Sequence, residues 1–477
     1  MESEVMPLSP VQNVLYLADS YKITHHKQYP PGTTNVYSYF ESRGGKFDTT
    51  CFFGLQYLVK QWMVGSVVDY KMIDEAREFY VQHFGQSDLF NENGWRYIVE
   101  KHNGTLPLRI KAVPEGTSVP VKNVLFTVEN TDPAVPWLTN WFETLLVQVW
   151  YPMTVCTNSR YQKRIIAKYL HETADSLDDL RFKLHDFGYR GATAVESAAI
   201  GGAAHLVNFS GTDTIAGLLM CRKYYSEPMA GFSIPAAEHS TMTSWGREAE
   251  VQACKHMLEQ FPNGFVSVVS DSYDVFACCD DIWGDALKDM VMERGKRGAR
   301  LVIRPDSGEP KVIVVKVLEI LEKRFPIEVN SKGYKMLPPY LRLIQGDGIA
   351  YESLGEILES VKAAGWSADN LVFGSGGALL QKMDRDTQKC AFKTSSVVVN
   401  GVERVVYKQP ITDQGKNSKR GRLTLELHDG KYVTMEEGKG DPTKDLLVTI
   451  FENGELLRDY SMAEIRARAE LDLIMKN

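Results

Sequence analysis

Short apolar runs alternate with stretches of helical periodicity from about residue 180 onward. Each run ends in charged, polar or glycine residues, as in ARLVIRPDSG (299–308), and a helical stretch such as ESLGEILESVKAAGW (352–366) follows. Continuous apolar runs between helices are typical of parallel strands that are covered on both faces. The runs lie at 182–191, 206–213, 231–239, 265–272, 299–308, 341–348 and 370–377. This succession predicts an α/β fold with a (β/α) barrel, and an open doubly wound sheet is the alternative.

The segments on either side of this pattern are different. Residues 1–150 mix short strands with helices such as MIDEAREFYVQHF (72–84), and strand patterns return after residue 390. Turn residues at Asp429-Gly430 and Asn453-Gly454 predict antiparallel hairpins. We therefore expect an N-terminal mixed α/β domain over 1–150 and the barrel over 151–390. The C-terminal strands and helix over 391–477 are expected to pack with the N-terminal domain.

Composition and charge narrow the functional class. The chain has 477 residues, a formal net charge of -7 and 44% hydrophobic residues, which is ordinary for a globular enzyme. An acidic chain is unsuited to bind nucleic acid or an anionic membrane over its whole surface. The N-terminus has no signal-peptide pattern, and no apolar run is long enough to span a bilayer. Seven cysteines without C-x-x-C spacing predict reduced thiols and a cytoplasmic protein.

Glycines and charged residues collect at the predicted strand ends, where barrels place their function. QGDG (345–348) and FGSGG (373–377) end the last two strands, where a phosphate site is frequent because glycine lets backbone N–H groups approach an anion. Each could also be a plain tight turn. Arg304 and Asp306 are two residues apart and can enter one pocket, Arg for a planar group or phosphate and Asp for sugar hydroxyls or metal-bound water. A buried ion pair is the alternative.

Two further segments have less specific signals. HDFGYRG (185–191) has aromatic rings that could stack on a flat ligand or belong to the core. QGKNSKRGR (414–422) could be a basic loop that reaches a phosphorylated small molecule, a nucleic-acid contact or a solvated loop. No Cys/His cluster has metal-ligand spacing, so any metal is expected to be Mg²⁺ that arrives with phosphates.

Together these motifs resemble the nicotinamide phosphoribosyltransferases, within the wider nicotinate/quinolinate phosphoribosyltransferase group. The resemblance covers nearly the whole chain, and the set of motifs in this order is specific although no single motif is. The motifs are LADSYKITHHKQYPPGT (17–33), VYSYFESR (36–43), NVLFTVENTDP (123–133), LHDFGYRG, GTDT, PAAEHS, VVSDSYD, IRPDSG, QGDG, FGSGGALLQK and EEGKGD (436–441).

The resemblance implies an irregular barrel with a flanking α/β domain, in a homodimer whose active sites lie at the subunit interface. It implies condensation of nicotinamide with phosphoribosyl pyrophosphate to nicotinamide mononucleotide and pyrophosphate, in NAD salvage, stimulated by ATP through a phosphohistidine. Nicotinate phosphoribosyltransferase is the alternative activity. Mg²⁺ with pyrophosphate is the implied cofactor and ATP a co-substrate, and neither nucleic acid nor a membrane is an expected partner.

The resemblance also assigns roles to individual residues. Phe187 and, from the second subunit, Tyr21 sandwich the pyridine ring, while Arg304 and Asp213 meet the carboxamide. His239 matches the histidine that ATP phosphorylates, with Glu238 beside it and Asp271 as its orienter. Contacts to ribose and phosphates are implied for Asp306, Gly346, Asp347, Gly376, Gly377, Arg190, Arg385, Lys393 and, across the dimer, Arg43 and Lys416.

The residue types suit this chemistry. The pyridine nitrogen has a free lone pair, so no general base is needed, and attack at C1 of the ribose passes through a cation-like transition state. Catalysis then depends on positioning and on neutralising the departing pyrophosphate. An ionised Asp213 would accept a hydrogen bond from an amide and repel a carboxylate, which favours nicotinamide over nicotinate. Ala378 and Ala391 depart from the family pattern near the phosphate contacts.

Overall fold

A computed structural model describes residues 12–470. The chain forms two compact units, which we call the sheet unit and the barrel unit. Within the described residues, the sheet unit comprises 12–157, Cys221–Glu227 and Met383–Ala469. The barrel unit comprises Asn158–Met220, Pro228–Lys382 and Glu470.

Strands and helices are numbered along the whole chain. The strands are β1 (Thr33–Ser42), β2 (Thr49–Cys51), β3 (Leu108–Ala112), β4 (Ser118–Pro120), β5 (Val124–Asn130), β6 (Leu184–Asp186), β7 (Gly211–Thr212), β8 (Phe265–Val269), β9 (Arg300–Arg304), β10 (Glu328–Val329), β11 (Lys335–Met336), β12 (Leu341–Gln345), β13 (Leu371–Ser375), β14 (Cys390–Val399), β15 (Val402–Val405), β16 (Thr424–His428), β17 (Lys431–Met435), β18 (Val448–Glu452) and β19 (Glu455–Leu456). The α-helices are α1 (Leu55–Trp62), α2 (Tyr70–Phe84), α3 (Glu92–His102), α4 (Leu138–Trp141), α5 (Glu143–Val147), α6 (Trp150–Thr173), α7 (Val195–His205), α8 (Ile215–Tyr224), α9 (His239–Thr243), α10 (Glu250–Gln260), α11 (Val275–Ala277), α12 (Lys288–Lys296), α13 (Pro310–Arg324), α14 (Tyr351–Ala363), α15 (Gly377–Leu380) and α16 (Met462–Ala469).

The sheet unit is built on a mainly antiparallel sheet with the strand order β15-β14-β1-β5-β3-β18-β19. Strand β1 pairs antiparallel with both β14 and β5, so N-terminal and C-terminal segments share one sheet. The rings of Phe40 and Phe126 stack with centroids 4.8 Å apart on its buried face. The predicted hairpins are confirmed, since β16 pairs with β17 around Asp429-Gly430 and β18 pairs with β19 around Asn453-Gly454.

The barrel unit contains a parallel sheet with the order β7-β6-β13-β12-β9-β8. Its strands are buried nearly throughout, with Ile303, Leu343 and Phe373 at most 1% exposed. Helices α13 and α14 place their apolar faces in the same core, with Val317 and Leu354 fully buried. Burial on both faces explains why these strands have continuous apolar runs in the sequence.

Two of the predicted strands are different in the structure. Residues 231–239 form no strand but make isolated parallel bridges, from Phe232 to Gly211 in β7 and from Ala236 to Ser267 in β8. Pro235 has no N–H to donate, so a regular ladder cannot continue through it. The bridges nevertheless connect the two edge strands of the sheet and close the barrel. The run at 206–213 is reduced to β7, because α7 and the turn that follows it extend to residue 208.

A buried carboxyl group in the sheet unit yields a stability prediction. Burial raises the pKa of Glu115 from 4.5 to about 7, although its Oε1 accepts the Gln56 N–H at 2.7 Å. The folded state therefore binds this proton more tightly than the unfolded state, and stability falls as pH rises from about 4.5 to about 7. Glu115→Gln should remove this loss, which amounts to about 3 kcal/mol. Urea denaturation at pH 5 and pH 8 checks it; an equal pH dependence in both proteins would contradict the prediction.

Among residues 12–470, no helix is both long enough and apolar enough to cross a membrane. All seven cysteine side chains are buried.

Candidate active site

A cavity of about 320 Å³ lies inside the barrel unit. Side chains from neighbouring parallel strands line it, among them His185 of β6, Arg304 of β9 and Ile344 of β12. Phe187 and Asp213 also line it, so three of the four residues expected to meet the pyridine substrate share one cavity. The fourth, Tyr21, belongs to the sheet unit.

The ring of Phe187 packs against the backbone of Gly374 and Gly346. Its backbone N–H donates to Ser375 O at 2.9 Å, which anchors it beside β13. A Cβ added at Gly374 would lie 2.0 Å from Phe187 Cε2, and one added at Gly346 would lie 3.5 Å from the same atom. Gly374 was not among the expected site residues. A glycine inside an apolar strand was the available signal, since it marks a close approach.

Asp213 has two hydrogen-bond donors on the same oxygen. Its Oδ1 accepts from His185 Nε2 at 2.8 Å and from Ser233 Oγ. Burial alone would raise the pKa of the Asp213 carboxyl, but His185, Ser233 and the charge of Arg304 outweigh burial and hold it below its ordinary value. The carboxylate is therefore ionised at neutral pH.

The spacing of Arg304 and Asp306 predicted that both enter one pocket, but of the two only Arg304 lines the cavity. Arg304 Nη2 lies 3.9 Å from Asp306 Oδ2, and Arg304 Nε is buried with no hydrogen-bond partner among the described residues. Burial raises the pKa of Asp306, and Arg304 opposes this shift. The charges of Asp271 and Asp347 raise the pKa of Asp306 further. A Cβ at Gly346 would lie 2.9 Å from Asp306 Oδ1, which explains the glycine.

His239 is the first residue of α9, and its Nε2 lies 2.8 Å from Asp271 Oδ1. The other Asp271 oxygen accepts from Ser307 Oγ at 2.5 Å, so two neighbours fix this carboxylate. The His239 side chain is 45% exposed while that of Asp271 is 4% exposed, which leaves the imidazole open to a ligand. The Glu238 carboxylate accepts from Ser240 Oγ instead, at the start of the helix.

The glycine loop after β13 is open. A Cβ at Gly377 would meet no atom within 4 Å, and one at Gly376 would meet only Phe187 O at 3.8 Å. The exposed Arg190 lies in a 3-10 turn, Tyr189–Gly191, where a Cβ on Gly191 would lie 3.3 Å from Gly377 Cα. The helical stretch predicted after the loop is only α15, four residues long. Its dipole is correspondingly small, so any phosphate here depends on the open backbone and on Arg190.

The other predicted cations, Arg43, Arg385, Lys393 and Lys416, lie in the sheet unit, and the first three lie close together. Burial lowers the pKa of Lys393, and the charges of Arg43, Lys408 and Arg385 lower it further, against the opposing charge of Glu143. Arg43, Arg385 and Lys393 therefore belong to one cluster, whereas the resemblance divided them between two subunits. Lys408 was not among the expected residues, since its position in the sequence has no motif to mark it.

The Arg43 side chain is anchored at one end by Glu41. Its Nε donates to Glu41 Oε1 at 2.9 Å, and the same carboxylate accepts from Lys419 at 2.6 Å. Its Nη2 is buried without a hydrogen-bond partner among the described residues. Lys416 is exposed and lies 3.5 Å from Asp413. Tyr21, in a 3-10 helix (Ser20–Lys27), is 59% exposed.

A closed parallel barrel in one unit and an antiparallel sheet in the other define the fold class of the type II phosphoribosyltransferases. Two solved structures support this assignment of the fold. A nicotinate-nucleotide pyrophosphorylase from Pyrococcus furiosus is 16% identical with a TM-score of 0.60, covering 98% of this chain and 97% of that one. The human nicotinic acid phosphoribosyltransferase is 16% identical with a TM-score of 0.55, covering 95% and 92%.

The sequence comparisons are more specific. Residues 182–455 match the nicotinate phosphoribosyltransferase family, and residues 13–110 match the N-terminal domain of nicotinamide phosphoribosyltransferase. A nicotinamide phosphoribosyltransferase from Xanthomonas campestris is 51% identical over 96% of this chain and 98% of its own length. One from Acinetobacter baylyi is 33% identical over 96% and 97%. The chain belongs to the nicotinate phosphoribosyltransferase family and is a pentosyltransferase.

Proposed function

We propose that this enzyme condenses nicotinamide with phosphoribosyl pyrophosphate, giving nicotinamide mononucleotide and pyrophosphate in NAD salvage. The observation that carries the proposal is an ionised Asp213 in the cavity that also contains Phe187 and Arg304. A carboxylate accepts a hydrogen bond from the amide NH₂ of nicotinamide and repels the carboxylate of nicotinate. The names of the relatives from Xanthomonas and Acinetobacter agree with this substrate.

The protein groups act by orientation and charge. Phe187 stacks on the pyridine ring, and Asp213 and Arg304 hold its carboxamide, which fixes the direction of the ring nitrogen. The nitrogen lone pair forms the bond to C1 of the ribose while the bond from C1 to the pyrophosphate oxygen breaks, and that electron pair leaves with pyrophosphate. Asp306 and Asp347 suit the ribose hydroxyls, and the Gly376–Gly377 loop with Arg190 suits the 5′-phosphate.

Mg²⁺ enters this proposal with the substrate. Among residues 12–470, no group of three or more His, Cys, Asp or Glu side chains could hold a metal ion. Pyrophosphate oxygens of the substrate would then be ligands of the Mg²⁺ ion, and the ion would neutralise charge on the leaving group. Asp306 and Asp347, whose charges interact, would contact the ion through bound water.

His239 is the proposed acceptor of the γ-phosphoryl group of ATP. With Nε2 bonded to Asp271, the Nδ1 lone pair is the nucleophile, and ADP leaves as the N–P bond forms. The product imidazole carries a positive charge, which the Asp271 carboxylate stabilises. Ser307 holds that carboxylate in place.

We further propose a cytoplasmic homodimer in which Tyr21, the cation cluster of Arg43, Arg385, Lys393 and Lys408, and the exposed Lys416 serve a site of the second subunit. The exposed Tyr21 ring and the partnerless Arg43 Nη2 support this arrangement. Because Arg43, Arg385 and Lys393 lie together in one chain, the same subunit would contribute all three.

The test supplies phosphoribosyl pyrophosphate and Mg²⁺ with nicotinamide or nicotinate, with and without ATP. Nicotinamide should be preferred, and ATP should raise its turnover. His239→Asn should lose the increment due to ATP, because Asn offers no nucleophilic ring nitrogen. The variant His256→Asn, on helix α10, is the matched control and should keep the increment. A preference for nicotinate would contradict the substrate, and an unchanged response to ATP in His239→Asn would contradict the phosphohistidine.

A further inference from the structure

We propose that His185, assisted by Ser233, is a positioning residue that sets the substrate specificity of the cavity. Both fix one oxygen of Asp213, so that the other faces the amide of a pyridine carboxamide. This inference rests on the proposed function, because it concerns how the same pocket distinguishes an amide from a carboxylate.

The two carboxylate oxygens of Asp213 have different hydrogen-bond surroundings. His185 Nε2 and Ser233 Oγ both bind Oδ1. Among the described residues, none donates a hydrogen bond to Oδ2. A carboxylate with one oxygen saturated and the other open is an oriented acceptor, and a ligand amide N–H completes it.

The absence of a side chain at Gly211 leaves space for the His185 ring. His185 in β6 pairs with Gly211 in β7, and Gly211 bridges Phe232, the neighbour of Ser233. A Cβ at Gly211 would lie 2.7 Å from His185 Nδ1, so any other residue would push the imidazole away. The glycine of the GTD sequence thus lets the ring reach across β7 to Asp213.

His185 contacts both Phe187 and Asp213, two residues expected to hold the pyridine ring and its carboxamide. Its ring centroid lies 5.0 Å from that of Phe187, with the planes tilted by 48°. The same imidazole therefore touches the stacking ring and holds the acceptor. A displaced His185 would leave Asp213 free to rotate, and the open oxygen would lose its fixed direction towards the ligand.

The variants His185→Phe and His185→Gln test this inference. Phe keeps a ring over Gly211 but has no donor, whereas Gln keeps an N–H donor near the position of Nε2. His185→Phe should lower the ratio of kcat/KM for nicotinamide to that for nicotinate about 10- to 100-fold, mainly through a higher KM for nicotinamide. His185→Gln should restore most of the ratio. Ser233→Ala should have a smaller effect in the same direction, because His185 remains.

The controls separate specificity from folding and from the proposed function. His256→Phe makes the same substitution on α10, where the imidazole centroid lies 5.0 Å from that of Trp245 with the planes tilted by 49°, and should leave the ratio unchanged. Equal losses for both substrates in His185→Phe, with an unchanged ratio, would overturn the inference and assign a structural role. A native enzyme that prefers nicotinate would instead overturn the proposed function, whatever the variants do.

Discussion

Gly374→Ala is expected to lower kcat/KM for nicotinamide by about 100-fold or more while the fold remains intact. The new methyl group would lie 2.0 Å from Phe187 Cε2 and 2.3 Å from its Cδ2, so the ring must move away from residue 374. A side-chain ring can rotate away without moving the strand, and therefore the damage falls on the pocket rather than on the core. The loss should be common to nicotinamide and nicotinate, because both are expected to stack on Phe187.

Steady-state kinetics with both substrates, together with the urea midpoint, measure this effect. Gly355→Ala is the matched control, since Gly355 lies within α14 and an added Cβ would meet no atom within 4 Å. It should leave kinetics unchanged and stabilise the helix slightly. Full activity in Gly374→Ala would mean that the Phe187 ring does not form part of the substrate pocket.

Asp213→Asn is expected to change the substrate preference by about 1,000-fold. The substitution removes the charge that repels nicotinate, and the amide NH₂ offers the nicotinate carboxylate a donor. The nicotinamide reaction loses a charge-assisted hydrogen bond at the same time. We therefore expect kcat/KM to fall for nicotinamide and to rise for nicotinate.

The measurement is kcat/KM for both substrates at neutral pH, where the lowered pKa of Asp213 keeps the native side chain ionised. Asp289→Asn, which removes an exposed carboxylate from α12, controls for net charge and should leave the preference unchanged. An Asp213→Asn enzyme with the native preference would place discrimination elsewhere in the cavity.

Particular elements show what could be predicted from the sequence. The strands β9, β12 and β13 lie within predicted runs, because a strand buried on both faces is apolar at most of its positions. The spacing of Arg304 and Asp306 predicted one shared pocket; the two side chains lie 3.9 Å apart, but only Arg304 of the two lines the cavity. The motifs around Phe187, Asp213 and His239 predicted the protein family, and the comparisons confirm that prediction.

By itself, then, the sequence determined the alternating α/β pattern, the family and the residue types at the strand ends, since these depend on local periodicity and on motifs. Tertiary structure alone decided that 231–239 closes the barrel through single bridges, and that α15 is a single turn. It also decided that Gly374 makes space for Phe187 and Gly211 for His185, and that Lys408 joins the cation cluster. The physical reason is that steric room and electrostatic proximity are properties of residues far apart in the chain, and no local pattern encodes them.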